Sequence, residues 1–488
     1  MTTRRLCLLL VALVAACHHS TPEDSGPPPE AADEPFRATR PTAGQPRPFQ
    51  SPPVERFTMG NAIDVVLVER HTLPLVYWEA QLHGGAVTDP PGKEGRSGLC
   101  ASVIIQQPTD DADLIADAGA SVTISSGTDA LVLDGFSLRP DFDSILEIWT
   151  HPLRTPGLLP ADLERFRTRR LASLAQARAT PATIASRVLA VVSNGPDHPY
   201  ARLESPASLG AITIQDCGAL VGDYLHPDGI RLLVSGDITR PEVEQKLGSW
   251  LAGPVGRPLP EIPPAAPPPG RLVFSPVPGA SQTTIVMWGP GPAREAPDYY
   301  AATVMAGIFA SGTSSRLGTD LREMMGSTYG VSGGFSFSRA GGKLAITAPV
   351  QADRSAAAIT AMLADARIMH DSDVTDDELL RVRDGQVSAL PARFQTVSGT
   401  MYQFDTLAYY GLPFTYFQDF TAHYAAVDRA TVRRAASDYL DPRNLRFVVV
   451  GDPAVVLPML TALTTAGDLQ GETIRIVDAD GKPAPTAP

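Results

Sequence analysis

A chain of 488 residues has room for two to four ordinary domains, and a hydrophobic share of 43% supplies a packed core and argues against wholesale disorder. The formal net charge of -13 argues against a nucleic-acid binder, which needs a basic surface to release counterions.

In chain order, residues 1–16 read as a leader: Arg4-Arg5, then an apolar run over 6–14 that is too short to cross a bilayer as a helix. Val14-Ala15-Ala16-Cys17 resembles a lipobox, which makes Cys17 the lipidation residue; an ordinary secretory leader cut near the Ala-Ala pair is the plainer reading. Two or three acyl chains would anchor the chain stably, and residues 17–52, rich in Pro, Glu, Asp, Ala and Thr, read as a disordered tether. Processing and lipidation leave two cysteines, Cys100 and Cys217. One disulfide is open to them, but nothing in their spacing requires it, and no CxxC occurs.

The first half spans 53–252. Strands are expected over 62–69 and 76–82, a short helix over 97–106, a hairpin of 121–126 with 130–138, a helix over 160–179 and a buried strand over 231–235. Residues 253–271, with eight prolines, form a stiff linker. The second half, 272–478, repeats the order: a strand over 282–288, helices over 299–309 and 315–325, a hairpin of 328–338 with 342–350, two long helices and a strand over 447–450. Residues 479–488 read as a frayed tail. The halves are related directly. Asp223-Tyr224-Leu225 and Val234-Ser235-Gly236-Asp237 recur 215 residues on as Asp438-Tyr439-Leu440 and Val449-Val450-Gly451-Asp452, with eight of fifteen positions identical. Strands, helices and hairpins so mixed predict α+β architecture with two homologous lobes, each a mostly antiparallel sheet with helices.

Three stretches carry a family resemblance. The first is Leu73-Pro74-Leu75-Val76 followed by Gly84-Gly85-Ala86-Val87-Thr88-Asp89-Pro90-Pro91-Gly92-Lys93-Glu94-Gly95; the second is Ser314-Ser315-Arg316-Leu317 with Leu321-Arg322-Glu323-Met324-Met325-Gly326-Ser327-Thr328-Tyr329; the third is Tyr410-Gly411-Leu412-Pro413. Together they resemble the insulinase, pitrilysin and mitochondrial processing peptidase family over about residues 53–455. The resemblance implies lobes arranged as a clam shell and an extended peptide held at a sheet edge.

Active members of that family carry HxxEH on the helix after the Pro-Gly-Lys turn: two His bind zinc and the Glu is the general base. Here Gly98, Ala101 and Ser102 stand at those three positions, and Ser173 aligns with the third ligand, a Glu. The resemblance therefore implies a subunit with no metal and no cofactor of its own, whose zinc belongs to an HxxEH-bearing partner. A further implication is that Arg322 and Tyr329 hold the substrate backbone and stabilise the oxyanion at that partner's zinc; a fixed cation and a phenol suit developing charge. The plainer reading has Arg322 pairing with Asp320 or Glu323 and Tyr329 packing in a strand.

No other catalytic constellation emerges. His18-His19 lie in the tether, His198 in Asp197-His198-Pro199-Tyr200 suits a turn cap, and Cys100 as a nucleophile would need a cationic or His neighbour. The expected function is a lipid-anchored peptidase subunit active only in a heterodimer, binding peptide and no nucleic acid, on the periplasmic face of the outer membrane. The rivals are a non-catalytic peptide-binding scaffold of the cell envelope and an independent hydrolase built on Cys100.

Overall fold

The computed structural model describes residues 49–60, 63–106, 108–226, 230–248, 257–324 and 330–484. The leader, Cys17, His18-His19 and Tyr329 lie outside these residues. Among them no helix is long and apolar enough to cross a membrane.

Twelve strands are described: β1 Glu55–Met59, β2 Ile63–Glu69, β3 Leu75–His83, β4 Ser121–Ser126, β5 Ala130–Leu138, β6 Arg231–Gly236, β7 Leu272–Pro276, β8 Gln282–Gly291, β9 Ser332–Ser338, β10 Gly341–Gln351, β11 Arg446–Gly451 and β12 Ile474–Ile476. They make two six-stranded sheets, ordered β1-β2-β6-β3-β5-β4 and β12-β7-β11-β8-β10-β9. In the first only β2 and β6 run parallel; in the second β7 runs parallel to both β11 and β12. The α+β, two-lobe expectation holds. The lobes differ at one edge, where β1 hairpins onto β2 but β12 returns from the far C-terminal end.

The repeat seen in the sequence organises both lobes. β6 and β11 are 215 residues apart, and so are the helices that precede them, Ile214–Tyr224 and Arg429–Tyr439. Both helices open on a capping box, Thr213 with Asp216 and Asp428 with Thr431. Each following strand is buried from its second residue on, which explains why both read as apolar runs rather than alternating patterns. The Gly-Asp ending of β6 also has a local cause. Gly236 has φ 129°, and a Cβ there would lie 2.0 Å from the Leu75 carbonyl oxygen, so only glycine lets β6 leave the sheet beside β3.

A second pair of repeat-related helices, Pro181–Asn194 and Val397–Tyr409, is exchanged between the lobes. Ile184, Val188 and Val192 from the first half pack on Val273, Val286, Val448 and Val450 of the second sheet. Met401, Phe404 and Leu407 from the second half share a core with Val66, Val68 and Leu233 of the first sheet. Arg70, at the end of β2, seals the second contact by donating to the Phe394 carbonyl (3.1 Å) and the Thr400 hydroxyl (3.1 Å). Residues 49–488 consequently form one compact unit.

Two expected elements differ. The helix over 315–325 is a short turn, Arg316–Gly318, followed by a π-helical turn, Thr319–Met324. The tail is tied down as far as residue 484: Asp480 is 8% exposed and accepts hydrogen bonds from Arg178 (2.8 Å) and Arg187 (2.6 Å). Those arginines lie on neighbouring elements of the other half, so the pairing leaves no local trace in the sequence.

Candidate functional site

The helix that the resemblance aligns with the zinc motif is Arg96–Ile104, and its start is closely specified. The turn before it places Gly92 and Gly95 at positive φ, and a Cβ on Gly95 would lie 2.9 Å from Leu209. Asp89, 2% exposed, caps the helix by accepting from the amides of Gly95 (2.9 Å) and Ser97 (2.8 Å). Burial pushes its carboxyl pKa up against those hydrogen bonds. Gly98 and Ser102 share a half-buried face, where the Ser102 hydroxyl donates to the Gly98 carbonyl at 3.2 Å. Ala101 is buried in the lobe core. Ser173 is exposed on Pro160–Ala177, the helix that packs alongside. Gly98 and Ser102 are thus brought together, but a hydrogen and a single hydroxyl do not make the His and carboxylate donor set that zinc takes. Among the described residues no group of three His, Cys, Asp or Glu is placed to hold a metal.

Cys100 sits on the opposite side of this helix, joined to Cys217 by a disulfide with the Cα atoms 5.1 Å apart. Both residues are fully buried. This corrects the Cys100 hydrolase reading: a sulfur consumed in a buried disulfide is no nucleophile.

Arg322 lies exposed on the Thr319–Met324 turn, whose Leu321 is anchored in the second-lobe core. Among the described residues it makes no hydrogen bond or ion pair, so of the two expected alternatives the pairing with Asp320 is not formed, while the Glu323 side chain lies outside the described residues. Its neighbour Arg316 is the locked one: it holds Glu378 through two bonds of 2.7 and 2.9 Å and draws the Glu378 carboxyl down to about 2.

A polar cluster that joins the two halves is one that sequence reading missed. Asp129, 8% exposed, sits in the β4–β5 turn and accepts from the hydroxyls of Tyr200 (2.9 Å) and Tyr409 (2.6 Å), with Arg339 at 3.5 Å. It ties the first-half hairpin to the second-half exchanged helix and to the β9–β10 turn. The only hint was Tyr409 preceding the Tyr410-Gly411-Leu412-Pro413 motif. His198 caps as expected: Nδ1 accepts from the Tyr200 amide, and Nε2 donates to the Pro263 carbonyl in the linker.

Two cavities flank this cluster. One, of about 710 Å³, is walled by both halves and the proline linker. The other, of about 660 Å³, is aromatic, lined by Tyr299, Phe337, Tyr410 and Tyr416 with Asp405 in its wall. Arg294 lies over the Tyr299 ring at 3.9 Å. Asp405 is on the exchanged helix facing the first sheet. Its Oδ1 has no hydrogen-bond partner and is 3.8 Å from Arg231. Burial first, and then the charge of Glu79, push its carboxyl up to about 6.

A raised folded-state pKa means that the folded chain holds its proton longer than the unfolded one. The associated stability is present below about pH 4 and is lost as pH rises through about 6. Asp405→Asn should therefore flatten this loss, gaining roughly 2–3 kcal/mol relative to the parent between pH 4 and 7. Urea unfolding at both pH values checks it, and equal pH slopes in parent and variant would contradict it.

Compared with known proteins, residues 211–386 match the family model described as the peptidase M16 inactive domain. No curated protein matches the chain. Among solved structures, the fold is similar to a peptidase M16 inactive domain from Pseudomonas fluorescens, with TM-score 0.74, 22% identity, and 82% of this chain and 98% of that one covered. A protease from Helicobacter pylori superposes with TM-score 0.70 at 16% identity, over 82% and 99% of the two chains. A chain of complex III2 from Candida albicans gives 0.68 at 15% identity, over 82% and 96%.

Proposed function

We propose, from the premise that this is an M16-type chain of the zinc-site-lacking kind, that it is the non-zinc subunit of a heterodimeric peptidase. Its partner carries HxxEH and the zinc, and this chain contributes half of the peptide chamber together with Arg322 and Tyr329. The observation that supports this best is a zinc-motif helix kept in cap, turn and packing while Gly98, Ala101 and Ser102 occupy its chemical positions. Arg322 is exposed and, among the described residues, makes no hydrogen bond or ion pair, which leaves it open to a contact from another chain. Cys17 would tether the pair to a membrane, and the buried disulfide suits an oxidising compartment such as the periplasm.

The test is reconstitution. The lone chain should cleave no peptide, and mixing with a zinc-bearing homologue encoded nearby should restore turnover. Arg322→Ala in the complex should lower kcat at least about tenfold, as loss of one oxyanion contact does. Cleavage by the lone chain, or no gain on mixing, would rule the reading out. A second reading, a non-catalytic scaffold, draws support from the similar fold of a chain in complex III2; it expects Arg322→Ala to be silent.

A further inference from the structure

The 710 Å³ cavity at the seam lies in a chain of net charge -13, yet its wall is basic. Arg271, Lys343, Arg443 and Arg446 all line it, with Asp129 the sole carboxylate among its lining residues. Asp129 is already satisfied by two tyrosine hydroxyls and Arg339. Arg443 is neutralised by Asp441 at 2.8 Å, and Arg271 has Glu472 at 3.9 Å. Lys343 and Arg446 are different. Lys343 Nζ donates to the Ser193 hydroxyl at 2.8 Å, and Arg446 donates to the Pro268 carbonyl at 2.8 Å while stacking 5.2 Å from the Trp288 ring. Neither has a carboxylate within ion-pair distance among the described residues.

The remaining charge is crowded as well as unpaired. Burial lowers the proton affinity of Lys343, and burial together with the charge of Arg446 lowers that of Arg475. Partly buried cations without counter-ions are costly unless an anion joins them. The rest of the wall sets the kind of anion. Trp288, Phe337, Pro267 and Pro290 give apolar surface, and Ser336, Ser338 and Asn194 offer groups for amides. The volume falls in the range of ordinary ligand pockets.

We propose that this seam cavity binds a short peptide by its C-terminal carboxylate, with Lys343 and Arg446 as the anion's partners and the apolar wall receiving the last side chains. A bare oxyanion would leave that wall unused, and a polyanion would meet the acidic exterior. The site is independent of the zinc-motif helix and of Arg322, so it stands or falls apart from the peptidase reading.

The test is calorimetric titration of the full chain with N-acetyl tripeptides ending in Phe, Leu or Ala, as free acids and as C-terminal amides, and with inorganic phosphate. At least one free acid should bind, its amide should bind at least about tenfold more weakly, and added salt should weaken only the acid. Lys343→Gln and Arg446→Gln should each weaken the acid about tenfold without altering amide binding, and Lys343→Arg should restore most of it. Equal binding of acid and amide, no binding by any tripeptide, or phosphate binding as tight as the peptide overturns the proposal. So does a folded Lys343→Gln that binds like the parent. Should a variant fail to fold, the acid-against-amide comparison on the parent decides.

Discussion

Val188→Asp should unfold the whole chain rather than one lobe. Val188 is fully buried on the exchanged Pro181–Asn194 helix, against valines from three strands of the second sheet. A carboxylate there has no partner, and burying one costs several kcal/mol even after relaxation. Set against a total stability of about 5–15 kcal/mol, that is enough to remove the folded state at 37 °C. Val188→Ala, which only removes methyl groups, should cost about 1–3 kcal/mol. Single-tryptophan variants retaining Trp149 in the first lobe or Trp288 in the second give each half its own fluorescence signal. Both signals should move together in urea. A first lobe that survives while the second melts would show that the exchanged helix is an ornament.

Breaking the Cys100–Cys217 disulfide is expected to cost up to about 4–5 kcal/mol. The bridge closes a loop of sequence separation 117, and the loss of loop entropy in the unfolded chain gives that magnitude. It also pins the Arg96–Ile104 helix to the Ile214–Tyr224 helix inside the first-lobe core. The measurement is the urea midpoint of the parent with and without dithiothreitol, with Cys100→Ala/Cys217→Ala as control. An unchanged midpoint on full reduction would mean that the helix pair needs no covalent link.

Much of the fold was legible because its signals are local. The Gly127-Thr128 turn marked the 121–126 and 130–138 hairpin, and the apolar runs over 231–235 and 447–450 marked strands. The 215-residue repeat pointed to paired lobes, and it also relates the helices before β6 and β11 and the exchanged pair. What stayed hidden was long-range. No periodicity reveals that Pro181–Asn194 serves the other lobe's sheet, because an amphipathic helix has the same pattern whichever sheet it covers. Asp480 looked like tail because its arginines are about 300 residues away. At the candidate site, the alignment of Gly98, Ala101, Ser102 and Ser173 with zinc-motif positions rests on the resemblance alone. The Asp129 cluster, drawn from the first-half hairpin turn, Tyr200, Arg339 and Tyr409, carries no motif.

The exchanged helices also bear on how the chain is made. When β6 is complete, the second face of the first sheet, with Val66, Val68 and Leu233, still lacks its cover, which arrives only with Val397–Tyr409. At roughly 5–20 residues per second of synthesis, that apolar face and the apolar stripe of Pro181–Asn194 wait on the order of 10–30 s. Neither half can finish first and shelter the other. Both apolar surfaces stay uncovered until the second half is made, and the proline linker, which looks like a border between domains, is crossed before either lobe is sealed.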